Sequence, residues 1–139
     1  MEKAPTPIAG APRSLVSVVD DDESVRESLP DLVRELGFDV RAFSSAEEFL
    51  SSEYVGQTRC LLLDVAMPGM SGPDLQRELN RRRQAIPIIF ITAHGDEGIR
   101  PRVLARGAVE CLFKPFSEAA LLKAIEVALA GKGDRSGVS

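Results

Sequence analysis

The chain has 139 residues, 44% hydrophobic and 27% charged, with a formal net charge of −4. These values fit one soluble globular domain with one core, and the charge argues against a nucleic-acid or anionic-membrane surface as the main partner. No apolar run approaches the roughly 20 residues that span a bilayer, and no apolar leader-type segment opens the chain, so a cytoplasmic location is expected.

Residues 1–13, MEKAPTPIAGAPR, carry three prolines and no apolar period and read as a disordered tail. SLVSVVD at 14–20 reads as a buried strand that runs into Asp20, Asp21 and Asp22. A helix follows, with Val25, Leu29, Leu32, Val33 and Leu36 on one face and Gly37 as its stop. Pro30 sits inside that pattern and predicts a kink near Arg26 to Pro30, not a break. FDVRAF at 38–43 alternates apolar and polar, as a strand near a sheet edge does. Ser45 and Glu48 have capping-box spacing ahead of a short helix that buries Phe49 and Leu50.

Residues 59–64 run straight through three leucines into Asp64, and the turn formers Pro68, Gly69, Ser71, Gly72 and Pro73 follow. A continuous apolar run of this length marks a fully buried strand of a parallel sheet. A helix is predicted from Pro73 to about Arg82, closed by the basic run Arg81 to Arg83, which suits the helix dipole. IPIIFIT at 86–92 is a fourth strand, and His94 to Gly98 a loop. A short helix is expected from Ile99 to Arg106 with Pro101 in its first turn, then a fifth strand at 109–113. Ser117 should cap a last helix carrying Leu121, Leu122, Ile125 and Leu129, with a flexible tail at 131–139. Five strands alternating with five helices predict an α/β domain over 14–130, a parallel sheet covered by helices on both faces.

Cys60 and Cys111 lie in apolar runs and read as buried thiols; their spacing matches no zinc pattern. The single His94 has no Cys or His partner nearby and reads as a loop residue.

Four strand ends carry or adjoin polar groups: Asp20 and Asp21, Asp64, Thr92, and Lys114. In a parallel sheet all of them open on one edge, where open α/β sheets collect their ligands. Clustered carboxylates raise one another's pKa unless a cation is present, and hard oxygen ligands suit Mg²⁺. Lysine supplies a point charge for a phosphoryl oxygen and threonine a hydroxyl donor. Together they make a phosphoryl-transfer site. Asp64, on the central strand, is the best nucleophile and would form an aspartyl phosphate. Asp21 would be the principal metal carboxylate and Asp20 its support.

The segments VVDDDESVR, LLLDVAMPGMSG, FITAHGD and GAVECLFKPF, in that order and spacing, resemble a response regulator receiver domain of two-component signalling, of the kind found in FixJ- and LuxR-type regulators. The resemblance implies a flavodoxin-like (βα)5 fold, a doubly wound sheet of strand order 2-1-3-4-5. It implies that Asp64 accepts a phosphoryl group from a histidine kinase or histidine phosphotransfer protein, with Mg²⁺ or Mn²⁺ held by Asp20, Asp21, Asp64 and the Ala66 backbone carbonyl. Thr92 matches the switch hydroxyl and Lys114 the family's lysine, with a cis bond to Pro115. Such a domain catalyses its own phosphorylation and dephosphorylation and signals through a downstream protein, as a monomer or a phosphorylation-dependent dimer.

Two positions depart from the family. Cys111 stands where an aromatic usually swings with the switch hydroxyl, and Pro101 falls inside the fourth helix. With Cys60 and Cys111 two strands apart in that order, about 10 Å separates them, too far for a disulfide.

A single-domain response regulator is the first reading. The receiver half of a DNA-binding transcription regulator is the second. A haloacid-dehalogenase-like phosphatase is a distant third: Asp20, Asp22 and Ser24 resemble that class's nucleophile motif, which would make Asp20 the nucleophile.

Overall fold

A computed structural model describes residues 13–93 and 98–138, with side chains to residue 131. The expected N-terminal tail up to residue 12 and the loop residues from His94 to 97 lie outside the described residues. The strands are β1 (Leu15–Val19), β2 (Asp39–Phe43), β3 (Cys60–Asp64), β4 (Ile88–Thr92) and β5 (Glu110–Phe113). The helices are α1 (Glu23–Glu35), α2 (Ala46–Ser51), α3 (Gly72–Arg81), α4 (Ile99–Ala105) and α5 (Glu118–Val138), with a 3-10 turn at Val55–Gln57.

All neighbouring strands pair in parallel, in the order β2-β1-β3-β4-β5. The period of two along β3 divides the core. Cys60 and Leu62 pack with Leu29 and Val33 of α1 and Leu121 and Ile125 of α5. Leu61 and Leu63 pack with Phe49 of α2, Leu75 and Leu79 of α3 and Val103 of α4. Helices therefore cover both faces, and a parallel sheet buried on both sides reads as continuous apolar runs. The alternating strand β2 is an edge, as its pattern implied. Cys60 and Cys111 lie on opposite faces as well as two strands apart, and neither forms a disulfide.

The helix ends follow the local chemistry. Asp22 caps α1: its Oδ1 accepts from the Ser24 amide at 2.9 Å and the Ser24 hydroxyl at 2.8 Å. The helix runs unbroken through Pro30, whose ring is buried. Only half of the box expected at Ser45 forms. The Ser45 hydroxyl accepts from the Glu48 amide, but the Glu48 carboxylate takes the amide and hydroxyl of Ser44, one residue further back. A complete box stands instead at α3, between Ser71 and Asp74. Arg81 and Arg82 both pair with Glu78 one turn earlier. Pro101 lies in the first turn of α4, and the Ser117 hydroxyl accepts from the Ala120 amide at 3.0 Å. α5 continues to Val138, where the composition led us to expect a flexible tail. No proline interrupts that stretch, and glycine weakens a helix by only about 1 kcal/mol without ending it.

Candidate functional site

The four polar groups singled out in the sequence sit where parallel pairing puts them, at the C-terminal edge of the sheet. Asp64 ends β3 and is half-buried; Asp20 directly follows β1 and is 2% exposed. Asp20 is held from several sides. Its amide donates to the Phe43 carbonyl at 3.1 Å, and its Oδ1 accepts from the Asp22 amide at 2.9 Å. Its carbonyl accepts from Arg26 Nη1 at 3.0 Å. Asp21, next along, is exposed. One carboxylate oxygen from each of Asp20, Asp21 and Asp64 lies within 4.8 Å of the others.

Lys114 follows β5, and its amide donates to the Thr92 carbonyl at 2.9 Å. Its Nζ is 3.6 Å from Asp20 Oδ2, so the ammonium closes one side of the acid cluster. The Lys114–Pro115 peptide is cis. Thr92, 4% exposed, ends β4 one residue beyond the partner of Asp64 in the ladder. Its hydroxyl bonds to none of the acids among the described residues. Ala66 is exposed on the loop two residues past Asp64.

Burial pushes the Asp64 carboxyl up to about 7, with the Asp20 charge and a hydrogen bond that the protonated carboxyl donates to Asp21 adding to it. Burial also raises Asp20, against the pull of the Asp22 amide and Lys114. Carboxylates that repel and are short of water are what a divalent cation would relieve, and all-oxygen donors suit Mg²⁺. The residues present therefore fit such an ion.

Two residues that shape the site were not singled out from the sequence. A Cβ on Gly72 would stand 2.2 Å from the Asp64 carbonyl oxygen and 2.9 Å from the Phe90 ring. Only glycine lets α3 start this close behind Asp64, and the Gly72 amide donates to the Val65 carbonyl at 2.9 Å. Glu47 of α2 accepts from the Met70 amide at 3.1 Å and so holds the β3–α3 loop. The glycine was visible in the sequence as a turn former; its closeness to the Asp64 backbone was not.

A parallel five-stranded α/β sheet with an acid cluster and a lysine at its C-terminal edge defines a class, and comparison with known proteins agrees. The chain belongs to the response regulator receiver domain family, whose model matches residues 16–126. It is 49% identical over 116 residues to nodulation protein W of Bradyrhizobium diazoefficiens, covering 84% of this chain and 51% of that protein. It is 47% identical over 116 residues to response regulator protein TodT of Pseudomonas putida, covering 84% and 51%. Among solved structures, response regulator StyR matches with a TM-score of 0.82 at 49% identity, over 90% of this chain and 63% of that one. FixJ-N matches with a TM-score of 0.78 at 38% identity, over 86% and 96%. The chain thus spans about half the length of the curated relatives it matches. Receiver domains of two-component systems generally bind Mg²⁺ at an acidic pocket, and this chain has one. Among the described residues no helix is long and apolar enough to cross a membrane.

Proposed function

We propose that this receiver domain accepts a phosphoryl group on Asp64 from a histidine kinase or a histidine phosphotransfer protein, in a magnesium-dependent reaction, and thereby switches a protein-interaction surface. The observation that carries this is the convergence of Asp20, Asp21 and Asp64 within 4.8 Å, with Lys114 3.6 Å from Asp20. An ionised Asp64 oxygen attacks phosphorus, and the phosphorus–nitrogen bond of the donor histidine breaks. Asp20, Asp21, Asp64 and the Ala66 carbonyl would hold Mg²⁺ or Mn²⁺. When bound, the ion supplies the charge that keeps Asp64 ionised and offsets charge on the phosphoryl oxygens. Lys114 contributes a second positive charge to those oxygens. Thr92 offers its hydroxyl to the phosphorylated form and passes the change to the loop after β4. The signal leaves through a downstream protein, from the cytoplasm.

A second reading is favoured by chain length. The relatives include proteins described as transcriptional regulatory proteins, of which this chain matches about half. The chain would then be the receiver part of such a regulator, with the same chemistry at Asp64. The phosphatase reading loses its motif: Asp22 and Ser24 form the cap of α1, and Asp20 is almost fully buried.

Incubation with acetyl phosphate and Mg²⁺ tests the proposal. The native chain should be labelled and Asp64→Asn should not; full labelling of Asp64→Asn contradicts it. Phosphotransfer from a panel of histidine kinases then identifies the donor.

A further inference from the structure

At the opposite, N-terminal edge of the sheet lies a cleft of about 660 Å³, lined by Arg13, Arg34, Arg41 and Arg59, with Asp39 as the one acid lining it among the described residues. The backbone there is tightly tied. The Arg59 amide donates to the Leu15 carbonyl at 2.9 Å, and the Asp39 amide to the Ser14 carbonyl at 3.1 Å. Three strand starts are therefore pinned side by side; Arg13 and Arg59 precede β1 and β3, and Arg41 lies midway along β2, all lining the same opening.

The charge is unspent. Arg34, Arg77, Arg81, Arg82 and Arg100 each hold an acid on this chain. Among the described residues, Arg13, Arg41 and Arg59 hold none. The Arg41 guanidinium carbon lies over the Tyr54 ring, 4.6 Å from its centroid. A cation–π contact occupies no N–H donor with an acceptor, and a guanidinium with free donors suits a phosphate fork to fork.

We propose that this cleft binds a small phosphorylated ligand, with Arg41 and Arg59 as its main phosphate contacts and Arg13 in support. The volume is that of a small-molecule site, within the range of about 300–1,000 Å³. The arginines surround a concavity and form no stripe, and the net charge of −4 opposes a nucleic-acid backbone. Tyr54 and Leu15 add an apolar wall suited to a ring attached to the phosphates. Strands of five residues place the cleft about 15 Å from the acid cluster, so the two sites are separable.

The test is calorimetric titration of the whole chain with ATP and with tripolyphosphate, in EDTA so that no metal bridges phosphate to the acid cluster. Saturable one-to-one binding is expected, weakened at least about tenfold by Arg41→Gln with Arg59→Gln. Asp64→Asn should bind as the native chain does. Tighter binding of ATP than of tripolyphosphate assigns the ring to the Tyr54 wall; equal binding assigns the affinity to phosphate alone, and either supports the site. Arg83→Gln with Arg102→Gln, two arginines outside the cleft, should change affinity less than about twofold. All four positions are exposed, and circular dichroism checks that each variant folds. Absence of saturable binding overturns the proposal. So does equal loss in the control pair, or displacement of ATP by duplex DNA at lower concentration.

Discussion

Asp64 carries a measurable signature even before any phosphoryl group arrives. Its carboxyl is raised from an ordinary 3.8 to about 7, first by burial and then by Asp20. A raised acid stabilises the fold fully below its unfolded pKa, and that contribution is lost as pH climbs through the folded value. Without divalent cations, native stability should therefore fall between about pH 4 and pH 7 from this group. Asp64→Asn removes the effect. In urea unfolding with EDTA it should match the native chain at pH 4 and exceed it at pH 8 by about 1–2 kcal/mol, reduced from the full shift because the group is half-exposed. Magnesium should narrow the gap; an equal difference at both pH values contradicts the assignment. Lys114 has a different role. Lys114→Ala should blunt the conformational response to phosphorylation, followed by NMR, more than it weakens Mg²⁺ binding in calorimetry. Equal loss of both argues against charge donation to the phosphoryl group.

At the scale of the elements, α4 depends on its neighbours. It has seven residues, and the N-cap residue Gly98 offers no side chain to hold the first turn. Its far end is held from α3. Gln76, 2% exposed, donates from Nε2 to the carbonyls of Val103 at 3.4 Å and Arg106 at 3.3 Å. The Val103 carbonyl also accepts from the Arg106 amide at 3.1 Å and the Ala108 amide at 3.0 Å, so Gln76 adds a side-chain donor to a C-terminal turn whose last carbonyls lack helical partners. On the other side Arg100 pairs with Glu110 of β5 at 2.6 Å. Gln76→Ala should cost about 1–3 kcal/mol and speed amide hydrogen exchange in α4 more than in α1. Uniform exchange across both helices would contradict the clasp. Cys111, where the family usually carries a ring, is buried on the α4 side of the sheet. The aromatic in register with Thr92 is Phe113.

Over the whole molecule, much of the architecture was legible because a parallel sheet buried on both faces writes itself as apolar runs with acids at their ends. β3 and β4 read directly, and the order of the strands followed from the resemblance. Helix ends were less legible where one carboxylate had a choice of donors: Glu48 serves Ser44, and Asp22 with Ser24 mimics an enzyme motif while capping α1. The acids and the lysine of the site were visible as strand-end residues, since strand direction alone gathers them. Gln76, Glu47 and the Gly72 approach were not, because each depends on a contact between segments distant in sequence that no periodicity records. The N-terminal cleft escaped notice for the same reason: its arginines come from the stretch before β1, from α1, from β2 and from the stretch before β3.

The most direct measurement labels the native chain with acetyl phosphate and Mg²⁺, reduces the acyl phosphate with borohydride and maps the modified residue by mass spectrometry. Modification at Asp64 is the expected result. Modification at Asp20 or Asp21, with Asp64 untouched, would contradict the central claim.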